Sequence, residues 1–244
     1  METKNGLPIK EIIELDPVRL TIAERMTSSL QNSAQLTLMR EARVDGLVKF
    51  RENYEESSSP KPTYTEILVK IIGNLLTKEE NKFLNSIMGE NKIKVISVVN
   101  LGVAVATDYG LVVPVIKDVN NKTLSVIVKE LRELSNKAKN MQLTLDNIEG
   151  GTFTLTNLGM FGIDSFTTII NPPQTGILGV GRIFKRPDFD EKNNIISSYI
   201  TWLSLTFDHR VLDGAIAAIF LKELSEILYD EEKIKEIIFN IKNK

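Results

Sequence analysis

The chain contains no cysteine and only one histidine, His209, among its 244 residues. The absence of cysteine excludes disulfides, thiolate metal sites and a cysteine nucleophile. With one histidine, a zinc site would have to be built almost entirely from carboxylates, so no metal site is predicted. Any chemistry that needs an imidazole therefore depends on His209.

Strong charge and long apolar runs are also missing. The formal net charge is -2 and the pI is near 5.7, which gives no support to nucleic-acid binding. No apolar run approaches the ~20 residues of a membrane span. The first residues, Met1 to Lys10, lack the apolar core of a signal peptide. We therefore expect a cytoplasmic protein without nucleic-acid or membrane partners.

The hydrophobic content of 42% is enough for one large domain or two small ones. Neither an internal repeat nor a convincing boundary divides the chain. Residues 1–16 are therefore predicted to be a linker remnant or an N-terminal arm, and residues 17–244 to form one α/β domain with a largely central sheet.

Hydrophobic periodicity predicts the individual elements. Helices are expected from Pro17 and from Asp213, and over 45–54, 63–77, 123–141 and 230–244. Strands are expected over 35–44, 94–106, 111–116, 152–156, 175–181 and 199–207. Asp45 is expected to cap the second helix, and Thr107 to Gly110 to form a hairpin turn.

His209 lies in Asp208-His209-Arg210-Val211-Leu212-Asp213-Gly214, on the predicted turn between the last strand and the following helix. Such a turn can hold a side chain rigidly while it faces a substrate. An imidazole takes up and returns a proton near neutral pH. Asp213, four residues on, can orient the ring directly or brace the site through an arginine. The alternative is a strand-end histidine that happens to precede a helix cap.

A second candidate is the glycine-rich segment from Gly150 to Gly162, where a predicted strand ends in Thr156 and Asn157. Either side chain can donate a hydrogen bond to an oxyanion. The alternative is ordinary strand-end and turn chemistry. No helix plainly opens from these glycines, so the segment does not fit a dinucleotide-binding turn. A third segment, Ile170 to Gln174, favours a rigid scaffolding loop.

Together these segments resemble the catalytic domain of the E2 dihydrolipoamide acyltransferases of 2-oxo acid dehydrogenase complexes. The matching motifs span roughly residues 17 to 230 and are, in order, Ile22-Ala23-Glu24-Arg25-Met26, Phe83-Leu84-Asn85-Ser86, Asn100 to Val115, Gly150 to Gly162, Asn171-Pro172-Pro173-Gln174 and Asp208 to Gly214. The resemblance implies a chloramphenicol acetyltransferase-like, two-layer α/β sandwich with a mixed central sheet and flanking helices. The His-x-x-x-Asp-Gly element alone is similar to chloramphenicol acetyltransferase, carnitine acyltransferases and peptide-synthetase condensation domains as well.

The resemblance further implies acyl transfer between the thiols of dihydrolipoamide and coenzyme A. His209 would be the general base that takes the proton of the attacking thiol. Thr156 stands where most family members have serine, and its hydroxyl would support the tetrahedral oxyanion. Threonine keeps that hydroxyl but adds a methyl group and stiffens χ1.

The resemblance also implies a role for a carboxylate and for an arginine partner. Asp213 would hold the site by pairing with an N-terminal arginine, for which Arg19 is the first choice and Arg25 the second. Asn157, next to Thr156, is a further supporting candidate, because its side chain could also donate a hydrogen bond to an oxyanion.

In this family the site lies between neighbouring subunits of a homotrimer, with the histidine and the hydroxyl on different chains, and trimers assemble into a larger hollow core. The lipoyl group is carried on a separate lipoyl domain, and the E1 and E3 components bind through other regions. Neither a lipoyl nor a subunit-binding domain fits before Asp16, so a truncated form or an isolated catalytic core is expected. The C-terminal helix would pack between trimers or on its own domain.

Two alternative functions remain compatible with the sequence. A free-standing chloramphenicol acetyltransferase-type O-acyltransferase would use the same base on a hydroxyl acceptor. A scaffold core without catalysis is disfavoured by the retention of His209, Asp213 and Thr156. The acyl group stays undetermined, although Leu158 to Gly162 favours acetyl or branched-chain acyl over succinyl. The number of subunits in the assembled core stays open as well.

Overall fold

The computed structural model of the chain describes residues 7–55, 60–190 and 192–239. Its helices are α1 (Pro17–Gln31), α2 (Asp45–Asn53), α3 (Tyr64–Leu75), α4 (Leu124–Lys139), α5 (Leu145–Ile148), α6 (Gly214–Tyr229) and α7 (Glu231–Phe239). Its strands are β1 (Gln35–Arg43), β2 (Ser86–Met88), β3 (Ile93–Val95), β4 (Leu101–Val103), β5 (Val105–Thr107), β6 (Gly110–Val112), β7 (Val115–Ile116), β8 (Phe153–Asn157), β9 (Gly176–Val180), β10 (Phe184–Phe189) and β11 (Ile195–Asp208).

A seven-stranded sheet forms the centre of the domain, in the order β1-β11-β9-β8-β4-β7, with β10 paired to β11. Strand β8 runs parallel to β4 and β9, and the other pairs are antiparallel. The predicted mixed central sheet is therefore confirmed. Two small ribbons, β2–β3 and β5–β6, stand apart from it.

The run predicted as one strand over 94–106 is divided among β3, β4 and β5, and only β4 joins the central sheet. The hairpin prediction holds, because Thr107 pairs with Gly110 across the β5–β6 turn. Pro114, which has no N–H to donate, separates β6 from β7. Pro114 still offers its carbonyl to the N–H of Val103 at 2.9 Å.

The two faces of the sheet differ in chemistry because side chains alternate along each strand. On β11, Leu203, Leu205 and Phe207 belong to one apolar core shared with α3, α4 and α6. The residues between them are buried but polar, and one of these, Thr206, accepts a hydrogen bond from the hydroxyl of Thr168 at 2.6 Å. The helices thus cover one face, and the segment that carries Thr168 crosses the other.

Helix α3 lies inside this core, as its continuous apolar sequence predicts. Thr63 caps it, and Glu66 returns a hydrogen bond to the N–H of Thr63, which completes a capping box. Lys70 is buried at 2% exposure, and its ammonium donates to the carbonyls of Asn120 and Lys122. Burial lowers the pKa of Lys70.

The prediction that Asp45 caps α2 is wrong. Val44 occupies the cap position, and Asp45 lies in the first turn. The β1–β11 ladder ends at the pair Arg43 and Ile200, so the N–H of Tyr199 needs another acceptor. The Asp45 carboxylate accepts from that N–H at 3.0 Å.

The terminal segments are partly as predicted. Asp16 caps α1 by accepting from the N–H of Arg19 at 2.8 Å. The C-terminal helix is α7, and residues 240–244 of the prediction lie outside the described chain. Ile234 and Ile238 are buried against their own domain rather than presented outward.

Among the described residues, no helix is long and apolar enough to cross a membrane.

Candidate active site

The turn after β11 places His209 outside the core. The carbonyl of Asp208 accepts from the N–H of Val211 at 2.9 Å, which closes a tight turn with His209 at its tip. The N–H of His209 donates to the carbonyl of Ala34 at 2.8 Å. Val211 is buried at 7% exposure and anchors the far side of the turn. The imidazole therefore projects outward, and its side chain is 44% exposed.

Two side chains flank the imidazole. The ring of Phe207 lies 5.7 Å from it, centroid to centroid. The Oδ1 atom of Asp213 lies 4.0 Å from Nδ1 of His209, which is too long for a hydrogen bond. Asp213 occupies the cap position of α6, but its carboxylate makes no capping hydrogen bond and is 84% exposed. A role as the N-cap of α6 therefore does not account for the carboxylate at position 213.

The residues on either side of His209 bind each other. Arg210 donates from Nε to both carboxylate oxygens of Asp208, at 3.0 and 3.1 Å, and from Nη2 to Oδ2 at 2.6 Å. The backbone N–H groups of Arg210 and Ala34 also donate to Oδ1, at 3.1 and 3.3 Å. Burial raises the pKa of the Asp208 carboxyl, but the hydrogen bonds and charge of Arg210 outweigh burial and bring that pKa below its usual 3.8.

The two arginines expected to pair with Asp213 lie elsewhere within this chain. The guanidinium of Arg19 lies beside Gly110 of the β5–β6 hairpin. Arg25 donates to the side-chain oxygen of Asn171 at 3.2 Å and to the carbonyl of Pro172 at 3.1 Å. Among the described residues, neither arginine forms an ion pair with Asp213.

Thr156 lies near the end of β8 and is 9% exposed. It alternates with Phe153 and Leu155, which enter the apolar core, so its side chain faces the other side of the sheet. Its register partner on β9 is Gly179. Within the described chain the hydroxyl of Thr156 has no hydrogen-bond partner, so it can donate to a bound group.

Asn157 faces the helices instead. Its amide nitrogen donates to the hydroxyl of Thr65 at 3.2 Å, and its amide oxygen accepts from the N–H of Gly159 at 2.8 Å. These contacts tie the end of β8 to the start of α3 and to the loop that follows. A cavity of about 480 Å³ opens there, lined by Asn157, Thr65, Tyr64 and Met160 among others.

Strand register separates Thr156 from His209. Thr156 pairs with Gly179, and Gly179 pairs with Ser204 on β11. Ser204 precedes Asp208 by four residues. At ~3.3 Å per residue and ~4.8 Å per strand, Thr156 and the end of β11 at Asp208 are about 13 Å apart along the strand direction and about 10 Å apart across the sheet, and His209 lies one residue further on. Within one chain, the imidazole and this hydroxyl cannot contact one reacting group.

Of the predicted catalytic residues, His209 and Asp213 thus have exposed side chains, whereas Thr156 is nearly buried and its hydroxyl has no partner in the described chain. Sequence reasoning assigned no role to Asp208 and Arg210, although both lie in the quoted motif. The signal was a pair of opposite charges on either side of the histidine. The two side chains form an ion pair because the turn after β11 brings residues 208 and 210 together.

The fold is shared with chloramphenicol acetyltransferase. That structure covers 90% of this chain and 100% of its own, with a TM-score of 0.51. At 10% sequence identity the likeness shows the fold alone. The chain is therefore an α/β protein with the chloramphenicol acetyltransferase-like fold. It carries an exposed histidine just after the end of a central strand.

The family is narrower than the fold. The family model described as 2-oxoacid dehydrogenases acyltransferase (catalytic domain) matches residues 8–235. The chain belongs to this family of acyltransferase catalytic domains.

Curated relatives agree with this assignment. The acetyltransferase component of the acetoin-cleaving system of Bacillus subtilis is 39% identical over 220 residues, which cover 88% of this chain and 54% of the relative. The succinyltransferase component of the 2-oxoglutarate dehydrogenase complex from the same organism is 34% identical over 228 residues, covering 92% and 54%. The chain thus spans about half the length of these relatives.

Solved structures give close matches as well. The dihydrolipoamide acetyltransferase of Azotobacter vinelandii, studied for the role of a serine, a histidine and an asparagine in its mechanism, is 32% identical with a TM-score of 0.86. It covers 94% of this chain and 98% of its own. The cubic core of a pyruvate dehydrogenase multienzyme complex is 31% identical, with the same TM-score and the same coverage.

Proposed function

We propose that this chain is the catalytic core of a dihydrolipoamide acyltransferase, which moves an acyl group between dihydrolipoamide and coenzyme A. The observation that carries the proposal is the outward imidazole of His209 on a turn fixed by hydrogen bonds. A lone, rigidly held and accessible imidazole suits proton transfer to and from a thiol. Because the chain has no cysteine, both sulfurs must belong to the substrates.

The proposed reaction needs only a base and an oxyanion donor. His209 takes the proton from the thiol of coenzyme A as its sulfur attacks the carbonyl of acyl-dihydrolipoamide. A new C–S bond forms, and the carbonyl oxygen becomes an oxyanion that accepts a hydrogen bond from Thr156. The intermediate collapses, the bond to the dihydrolipoamide sulfur breaks, and the imidazolium returns its proton to that sulfur.

We propose that the two groups come from different copies of the chain. The separation of Thr156 from His209 along one sheet supports a site shared between neighbouring subunits of a homotrimer. A trimer also offers Asp213 an arginine, Arg19 or Arg25, from another copy. Assembly of trimers into a larger core is supported by the match to the cubic core of a pyruvate dehydrogenase complex.

In the Azotobacter vinelandii protein, the histidine and the asparagine studied for catalysis are four positions apart. His209 and Asp213 have the same spacing. This supports a role for Asp213 beside the imidazole. An asparagine carries no charge, so the similarity points to hydrogen bonding as the shared property of that position.

We propose that the lipoyl group reaches this site on a separate lipoyl domain and that E1 and E3 components act as partners of the whole protein. We also propose a cytoplasmic location. For the acyl group we propose acetyl or branched-chain acyl rather than succinyl. Acetyl-type and succinyl-type relatives match to a similar extent, so the preference rests on Leu158 to Gly162 and on the acetyl-type relative of higher identity.

A thiol-exchange assay tests the function. The purified chain is mixed with free dihydrolipoamide and each of acetyl-, isobutyryl- and succinyl-coenzyme A, and kcat/KM is measured for each. We expect transfer to the thiol, with acetyl or isobutyryl above succinyl. Transfer to small alcohols but not to dihydrolipoamide would overturn the proposal. A succinyl preference would overturn only the acyl assignment.

A further inference from the structure

The charged pair that flanks His209 joins a buried carboxylate to a partly exposed guanidinium through several hydrogen bonds. Asp208 is only 3% exposed in its side chain, and Arg210 is 42% exposed. The carboxylate receives five hydrogen bonds, three from the guanidinium and one each from the N–H groups of Arg210 and Ala34. A planar guanidinium that grips both oxygens fixes direction as well as distance.

Hydrogen bonds to Ala34 tie the backbone on the other side of the turn to the same pair of residues. The N–H of Ala34 donates to Asp208, and the carbonyl of Ala34 accepts from the N–H of His209 at 2.8 Å. The side chain of Arg210 then returns to Asp208 from the other side. The backbone of His209 is therefore held before, at and after the residue, while its own ring makes no hydrogen bond within the described chain.

We propose that Asp208 and Arg210 are positioning residues for His209, acting as an ion-paired staple that fixes the turn and aims the imidazole at the reacting thiol. This inference rests on the proposed role of His209 as the base. The staple also keeps the charge beside the ring balanced. Within the described chain, the ring itself contacts one charged group, Asp213, at 4.0 Å.

Substitutions at each end of the staple test its positioning role. Arg210→Lys keeps the charge but removes the planar fork, and Asp208→Asn keeps the shape but removes the charge. We expect each to lower kcat about tenfold, because a loosened base is misaligned in the transition state. The KM for coenzyme A should change less than twofold, and the melting temperature should show that the mild Arg210→Lys variant is folded.

A second bidentate pair provides the matched control. Arg186 donates to both carboxylate oxygens of Glu41, each at 2.6 Å, and is exposed to a similar degree as Arg210. Glu41→Gln removes that pair far from the turn. It should leave kcat unchanged, so a general loss of surface ion pairing cannot mimic the expected result.

A measurement independent of activity separates this inference from the proposed function. Because the chain has one histidine, 13C-labelled histidine gives one imidazole signal whose titration can be followed directly. Asp208→Asn leaves the positive charge of Arg210 without a counter-charge and should move the titration of the imidazole to lower pH. Arg210→Met leaves the negative charge of Asp208 without a counter-charge and should move that titration to higher pH.

Opposite shifts of the titration, together with the loss of kcat in Arg210→Lys, would support the staple. Titrations that stay at the wild-type pH, or an unchanged kcat in Arg210→Lys, would overturn it. If the wild-type chain itself shows no thiol exchange, the proposed function fails while the titration still reports on the staple.

Discussion

Thr156 lies on strand β8 of the central sheet and His209 on the turn that follows β11 of the same sheet, yet their side chains cannot meet. The register from Thr156 through Gly179 to Ser204 places Thr156 four residues short of the end of β11, two strands away. The proposed oxyanion donor and the proposed base of one chain therefore cannot act on the same reacting group. Substitutions at Thr156 and at His209 therefore test the two proposed roles separately.

Removing the base should abolish most of the activity. We expect His209→Ala to lower kcat roughly 100-fold or more, the usual scale for the loss of a general base. The exposed side chain contributes little to the core, so light scattering should show the same assembly as in the wild type. An unchanged rate in a correctly assembled His209→Ala protein would mean that His209 is not the base.

Removing the hydroxyl should affect the rate rather than binding. Thr156→Ala deletes the proposed oxyanion donor, and we expect a loss of about 100-fold or more in kcat with little change in KM. Thr156→Ser restores the hydroxyl without the methyl group and is the matched control. Equal rates for the Ala and Ser variants would remove Thr156 from the mechanism.

The pH dependence of stability should reveal the Asp208–Arg210 pair. The pKa of Asp208 is lowered in the folded chain, so its stabilising contribution is complete above its usual value of 3.8 and is lost as the pH falls through the lowered pKa. Chemical unfolding of wild type and Asp208→Asn from pH 7 to pH 2 measures this. The gap between their free energies of unfolding should narrow at the acid end, and a constant gap would contradict the assignment.

Backbone crowding predicts opposite effects at two glycines. A methyl group at Gly181 would overlap the carbonyl oxygen of Asp164. Gly181→Ala should therefore destabilise the chain by about 1–3 kcal/mol. At Gly214, the first residue of α6, a methyl group would meet nothing within 4 Å. Gly214→Ala should be neutral or stabilising by about 0.5–1 kcal/mol. Thermal unfolding that ranks the pair the other way would contradict this account.

The sequence was most informative where a pattern is long or a residue is unique. Helix α4 and the strand that leads to His209 follow from periodicity, because burial of one face imposes a regular spacing. Helix α5, with four residues, and β2, with three, are too short to show a period. Strand β10 was missed because Pro187 argues against a strand, although an edge strand tolerates proline.

The residues of the candidate site can be named from motifs in the sequence, whereas their arrangement between subunits follows only from the family resemblance. His209 and Thr156 were found through their motifs. Their separation depends on strand register, which no local pattern in the sequence encodes. The Asp208–Arg210 contact was missed for a similar reason, since residues two apart in an extended strand point to the same face but meet closely only when the chain turns.

Mixing two inactive variants tests the shared site most directly. Chains carrying His209→Ala and chains carrying Thr156→Ala are unfolded together in equal amounts, refolded, and assayed for thiol exchange. If each site takes its histidine from one chain and its hydroxyl from a neighbour, about one quarter of the sites in random trimers are intact, and activity should return to about that fraction of wild type. Mixed assemblies as inactive as the separate variants would contradict a site built between subunits.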